Sequence, residues 1–286
     1  MRTVRTVAEL REALRPARRA ERVIGLVPTM GALHEGHLSL IRHARATCDE
    51  VVVSLFVNPS QFNDPSDLAA YPRDETRDAG LAAEAGADLL FAPDPAEVYP
   101  PGFVTTVHVG GLTEPLEGAY RGVGHFDAVT TVVTKLLNMV GPDVAFFGQK
   151  DAQQALVVRT LVRDLNLPAR IEVRPTVREA DGLALSSRNV HLRGDDRERA
   201  LALHDALRAA ETLLASGERD AVTLRSTALA AMRSRGVEPD YLELVSTDDL
   251  APVARVDGSV LLAVAARVGD TRLIDNTILS PNGAPS

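Results

Sequence analysis

Apolar positions in the first half of the chain fall into short β-branched runs separated by stretches with helical spacing. Val23–Val27 (VIGLV) is the first run and ends at Pro28. Leu38, Leu40, Ile41 and Ala44 then share one helix face. Val51–Val57 (VVVSLFV) reads as a second strand, stopped by Asn58-Pro59. Gly80–Gly86 lies on a helix, and Ala87–Ala92 (ADLLFA) is a third strand closed by Pro93. Phe126–Met139 repeats its apolar residues at three and four (Val129, Val132, Val133, Leu136, Leu137), and Gly141-Pro142 breaks it. Val144–Phe147 is a fourth strand, a helix follows near Asp151–Asp164, and Ala169–Val173 is a fifth strand. The charged N-terminal stretch reads as a surface helix placed before the first strand.

Strands alternating with helices over short connections predict an α/β fold, a Rossmann-like parallel sheet with helices on both faces. Runs that are apolar throughout suit strands buried on both sides. Ligands of such sheets sit beyond the carboxyl ends of the strands. The loops after Val27, Val57, Ala92 and Phe147 are therefore expected to line one crevice. The later sequence differs. Arg193–Gly217 and Ala221–Gly236 read as helices, and Tyr241–Val245 and Ser259–Val268 as strands. This predicts two domains, residues 1–176 and a smaller α+β domain over 177–286. The tail, Pro281–Ser286, is small and polar and is expected to fray.

Composition narrows the function. With 286 residues and 45% hydrophobic content, the chain has ample material for a core. A net charge of -8 argues against a general nucleic-acid surface. The one cysteine, Cys48, excludes an internal disulfide and a zinc finger, and its place on an apolar helix stripe reads as buried core. No apolar leader is visible, and no apolar run approaches the ~20 residues of a membrane span. The expected setting is the cytoplasm, with neither membrane nor nucleic acid as partner.

Four loop motifs carry the chemistry. In PTMGALHEGHLSL (Pro28–Leu40), His34 and His37 share the first turn of a helix that follows a strand. Free N–H groups and the helix dipole favour an anion there, and two imidazoles add donors for phosphate oxygens. The competing reading is local capping or packing. A metal site needs a third ligand that no neighbouring residue supplies, so none is expected. In FVNPSQFN (Phe56–Asn63), Asn58 and Gln61 are neutral amides suited to hydroxyl or carboxylate groups, or to plain turn chemistry. In FFGQKDAQQ (Phe146–Gln154), Lys150 can neutralise phosphate charge, Asp151 can accept from ribose hydroxyls and Gln154 can face the same crevice as Gln61. In READGLALSSRN (Arg178–Asn189), Asp181-Gly182 is a turn, and Ser186, Ser187 and Arg188 suit a triphosphate tail or a simple helix cap. Between these motifs, Arg121 precedes a Gly-rich turn and His125 heads the long helix, as ligand or as cap.

These motifs, in order from about Pro28 to Leu192, resemble those of the pantothenate synthetases. That family lies within the wider superfamily of H-x-G-H nucleotidylyltransferases and class I aminoacyl-tRNA synthetases. The H-x-G-H element alone specifies the superfamily; the flanking PTMGAL narrows it. Tyr71-Pro72-Arg73 stands where the family carries YPR. Gln149 stands where the family usually has Glu, and Leu185 where it often has Met.

The resemblance implies catalytic roles for His34, His37, Lys150, Ser186, Ser187 and Arg188. It implies ATP contacts at Pro28, Met30, Gly148, Lys150, Asp151, Val177, Leu185, Ser186 and Arg188. It implies pantoate contacts at Met30, Gln61, Arg121 and Gln154. The implied reaction condenses pantoate with β-alanine at the expense of ATP, giving pantothenate, AMP and pyrophosphate through a pantoyl adenylate. Mg2+ is expected with the ATP, the smaller domain is expected to act as a lid, and the family implies a homodimer. The rival readings are a nucleotidylyltransferase acting on a phosphate or alcohol, and a non-catalytic nucleotide-sensing module.

Overall fold

The computed structural model describes residues 1–62, 68–69 and 71–281. Asn63 of the second motif and residues 282–286 of the tail lie outside them. The chain divides into two compact units, residues 1–148 with 153–175, and residues 149–152 with 176–286.

The first unit is built on six parallel strands: β1 (Arg2–Val4), β2 (Ile24–Thr29), β3 (Glu50–Leu55), β4 (Leu89–Phe91), β5 (Val144–Gly148) and β6 (Arg170–Arg174). Their order is β1-β4-β3-β2-β5-β6. Its helices are α1 (Val7–Arg19), α2 (Glu35–Thr47), α3 (Glu75–Glu84), α4 (Pro95–Val98), α5 (Glu117–Arg121), α6 (Val123–Val140) and α7 (Ala152–Asp164). Five strands fall where the apolar runs place them; β1 was not foreseen. Arg2–Val4 is short and mostly polar, yet it pairs with Leu89–Phe91, so the N-terminal helix follows the first strand instead of preceding it.

Successive strand residues point to opposite faces, and the two apolar clusters of this unit follow that alternation. Ile24, Leu26, Val52, Ala145 and Phe147 pack with Leu10 and Leu14 of α1, Val133 and Leu137 of α6, and Leu161 of α7. Val27, Val51, Val53, Val144 and Phe146 pack with Leu40 and Ile41 of α2 and Ala82 of α3. Helices therefore cover both faces, and continuous apolar runs follow from that double burial. The chain steps from β2 outward through β3, then returns to β2's other side with β5. The carboxyl ends of β2 and β5 thus form the topological switch point, where α/β sheets bind ligands.

The second unit holds α8 (Asp196–Ala215), α9 (Ala221–Ser234) and an antiparallel sheet β7-β8-β9, with β7 (Pro239–Ser246), β8 (Val260–Val268) and β9 (Thr271–Leu279). Val260, Leu262, Val264, Ala266 and Val268 give β8 an apolar face that packs with Ala206 and Leu207 of α8 and Leu224 of α9. Strand β9 was not foreseen either. Arg272, Asp275, Asn276 and Thr277 interrupt its apolar pattern, although it pairs with β8 along its whole length. Among the described residues, no helix is long and apolar enough to cross a membrane.

Cys48 caps the C-terminus of α2 and is buried, which pushes its thiol pKa up. A Cβ on Gly25 would lie 2.9 Å from Cys48 Sγ and 3.2 Å from Phe146 Cε2. Gly25→Ala is therefore expected to overpack this spot and cost about 1–3 kcal/mol. Urea unfolding at unchanged midpoint and slope would show that the cluster has room to spare.

Candidate active site

Strand β2 ends at the switch point, and the chain turns there through Met30–Leu33 into α2. The buried carboxylate of Asp78 on α3 holds this turn, accepting from Ala32 N–H at 2.8 Å and Leu33 N–H at 2.9 Å. His34 is the N-cap of α2 in extended backbone, and its Nδ1 accepts from Gly36 N–H at 3.2 Å. Three residues on, His37 Nδ1 accepts from His34 N–H at 3.4 Å. The two rings lie 4.1 Å apart between centroids. This is a capping box written with imidazoles in place of the usual hydroxyl and carboxylate. It fixes the tautomer. A neutral imidazole whose Nδ1 accepts carries its proton on Nε2, so each ring is a donor through Nε2. The capping reading and the phosphate reading are thus compatible, since capping uses only one nitrogen of each ring.

The strand-end loops of this unit converge on the same edge. Gln61 Nε2 lies 2.7 Å from Met30 Sδ. Asn58 is fully buried and serves as an anchor for the loop: its Nδ2 donates to Gln61 Oε1 at 3.1 Å and to Ala128 O at 3.2 Å. Its Oδ1 accepts from Tyr99 Oη at 3.0 Å, beyond β4. His125 Nδ1 donates to Gln61 O at 3.0 Å, so this histidine fixes the backbone of the Gln61 loop. Arg121 Nε donates to Glu117 Oε2 at 2.8 Å. The turn leading into α5 is held by buried Gln153, which donates to Leu112 O at 2.8 Å and Pro115 O at 2.7 Å and accepts from Glu117 N–H at 3.0 Å. Pro28, Met30, Gly148 and Gln154 are half-buried. Of the YPR motif, Tyr71 stacks edge-on against Phe62, and Arg73 is exposed and donates to Leu68 O.

Residues 149–152, assigned by sequence to the first domain, group with the second unit. Gln149, Lys150 and Asp151 form a 3-10 turn directly after β5. Lys150 Nζ lies 3.7 Å from Asp151 Oδ1, and its side chain is mostly covered. Asn276 Nδ2 donates to both Gln149 O and Lys150 O at 2.9 Å, while its Oδ1 accepts from Gln149 Nε2 at 3.0 Å. Gln149, which stands where the family usually has Glu, supplies that last N–H.

The fourth motif is a tight hairpin in the same unit. Glu179 N–H donates to Leu183 O at 2.8 Å and Leu185 N–H to Val177 O at 3.0 Å. Gly182 turns it at φ +98, where a Cβ would strike His204 Cδ2 at 2.3 Å. Arg178 forms a two-pronged pair with buried Asp275 on β9, at 2.6 and 3.0 Å. Arg197 pairs with Glu179 at 2.7 Å and holds that carboxyl below its ordinary pKa. Ser186 caps the 3-10 turn Ser187–His191 by accepting from Arg188 N–H at 3.2 Å. Ser186 and Ser187 are half-buried, and Arg188 is exposed. The predicted cap is therefore present, on a loop braced from below by two arginine–carboxylate pairs.

Asp78, Gln153, Asp275 and Asn276 were missed by sequence reasoning. Their signal was present: each is a polar residue inside a stretch that folds as a buried element, and buried polar groups are placed to satisfy something. Arg178→Met would leave Asp275 buried without its cation. The expected cost is about 3–5 kcal/mol, read as an earlier unfolding transition in urea; an unchanged transition would mean that the pair does not brace the loop.

The family model described as Pantoate-beta-alanine ligase matches residues 2–278. A pantothenate synthetase from Chelativorans sp. is 57% identical, covering 95% of each chain. One from Moorella thermoacetica is 52% identical over 99% of this chain and 100% of its own. A solved pantothenate synthetase from Thermus thermophilus superposes with a TM-score of 0.91 at 47% identity, covering 97% of this chain and 99% of its own. A pantoate-beta-alanine ligase from Francisella tularensis, complexed with beta-gamma ATP and beta-alanine, matches over the full length of both chains at a TM-score of 0.80 and 33% identity. With its switch-point histidines, its braced loops and this match over nearly every residue, the chain belongs to the pantoate–β-alanine ligase family.

Proposed function

We propose that this chain joins pantoate to β-alanine at the expense of ATP by way of a pantoyl adenylate. The observation that carries the mechanism is the imidazole capping box at the switch point. It presents two Nε2–H donors at a helix N-terminus, where phosphate is favoured by the backbone and the dipole.

A carboxylate is a poor acyl donor because its oxygen is a poor leaving group. In the first step a pantoate carboxylate oxygen bonds to the α-phosphorus of ATP, and the bond from that phosphorus to the bridging oxygen breaks, releasing pyrophosphate. In the second step the β-alanine amine attacks the acyl carbon, AMP leaves with the bonding pair and the amine loses a proton. No covalent enzyme intermediate is needed. Catalysis is then mainly positioning and charge stabilisation. His34 and His37 are proposed to donate to phosphate oxygens as charge shifts toward pyrophosphate. Lys150, Ser186, Ser187 and Arg188 are proposed as further donors to the phosphates of ATP. Pro28, Met30, Gly148, Asp151, Val177 and Leu185 are assigned to the rest of ATP. Met30, Gln61, Arg121 and Gln154 are assigned to pantoate, with Gln61 supported by its fixed place beside Met30.

Among the described residues, no group of three or more His, Cys, Asp or Glu is arranged to hold a metal ion. Mg2+ is therefore proposed to arrive on the phosphates of ATP, which supply its oxygen ligands. The family resemblance supports a homodimer working in the cytoplasm, with residues 177–286 as a lid domain.

Purified protein is expected to release AMP in step with pantothenate, and to release none when pantoate is omitted. AMP formation with a phosphate or alcohol acceptor in place of pantoate would favour the nucleotidylyltransferase reading, and ATP binding with no AMP at all the sensing module. His34→Ala and Lys150→Ala are each expected to lower turnover about a hundredfold or more, as loss of a transition-state donor does, with circular dichroism unchanged. Normal turnover in well-folded His34→Ala protein would remove the histidine from the scheme.

A further inference from the structure

The 3-10 turn that carries Lys150 is a single short turn between the end of β5 and the start of α7, and a mobile lysine makes a weak transition-state donor. One side chain from a distant strand ties its backbone down. Asn276, in the middle of β9 and 5% exposed, donates through Nδ2 to Gln149 O and Lys150 O and accepts through Oδ1 from Gln149 Nε2. All three bonds lie between 2.9 and 3.0 Å and involve both ends of the carboxamide. Only an amide can do this. A carboxylate would set lone pairs against two carbonyl oxygens, and an apolar residue would remove all three of these bonds to the turn. The amide is held in turn from its own strand: Asn276 N–H donates to Asp275 Oδ1 at 2.8 Å, and Asp275 is locked by Arg178.

We infer that Asn276 is a positioning residue for the reaction, setting the backbone of the Gln149–Asp151 turn so that Lys150 Nζ meets the phosphates in one fixed place. Asn276 touches neither substrate nor reacting atoms and acts through Lys150. The inference rests on the phosphate role proposed for Lys150 above.

The test uses the full chain with Asn276→Ala, Asn276→Asp, Lys150→Ala and the double variant Asn276→Ala/Lys150→Ala. Asn276→Asp keeps shape and volume and stands in if the alanine variant folds poorly. The first readout is amide hydrogen exchange over residues 149–153, expected to quicken at least about tenfold in the Asn276 variants while α8 and β8 keep their protection. Unchanged exchange in that segment would overturn the inference, whatever Lys150 does. The second readout is turnover. Asn276→Ala is expected to lower kcat about ten- to a hundredfold, with KM for pantoate unchanged, and the double variant to be no slower than Lys150→Ala alone. Additive losses in the double variant would make Asn276 merely structural and overturn its positioning role. Full turnover in Lys150→Ala would sink the phosphate reading itself, and the exchange result would still decide whether Asn276 holds the turn.

Discussion

Two backbone N–H groups at the start of α2 take imidazole nitrogens as their acceptors, and the rest of the site's chemistry depends on that choice. A helix must satisfy its first N–H groups somehow, and a serine or aspartate would serve as well. Using His34 and His37 for the task fixes two tautomers at once. Each ring is then a donor through Nε2, at the point where the sheet's strand order reverses. The turn before it is held by Asp78, whose carboxylate meets two consecutive N–H groups from below. The local geometry of the histidines is thus set before any substrate arrives.

The same device recurs around both units. Loops that carry candidate binding groups are braced by buried polar side chains: Asn58 within the Gln61 loop, Gln153 under the turn into α5, Asn276 under the lysine turn and Asp275 under the arginine of the serine loop. Each brace is a polar group whose burial is tolerable only while its partners are in place, so loss of one side costs more than the bond is worth. Loops built this way keep the exposed face that ligands need and lose the freedom that would blur it. Precision of that kind is what a reaction relying on positioning and charge stabilisation requires.

Most of the frame could be read from residues alone, for a physical reason. Strands buried on both faces leave continuous apolar runs, and helices packed against them leave a three-four repeat, so β2 to β6 and their helices are visible as pattern. Strands that break the pattern are not. Arg2–Val4 is too short and polar to announce itself, and Thr271–Leu279 mixes apolar positions with Asp275 and Asn276, which point at loops rather than at the core. The motif residues were legible because their types are unusual for turns: paired histidines, a lysine just past a strand, two serines beside an arginine. Their braces were not, since the partner of Ala32 lies 46 residues away and the partner of Lys150 lies 126 away. For the same reason the assignment of residues 149–152 to the second unit could not be read locally; it follows from bonds to a strand near the other end of the chain.

The most direct test of the account is nitrogen-15 NMR of the histidine rings in the full-length protein, before and after ATP is added. His34 and His37 should each show an unprotonated, acceptor-type Nδ1 and a protonated Nε2 in the neutral form, and the Nε2 signals should move when ATP binds. Protons on Nδ1 of either ring, or Nε2 signals indifferent to ATP, would contradict the claim that helix capping prepares these side chains as phosphate donors.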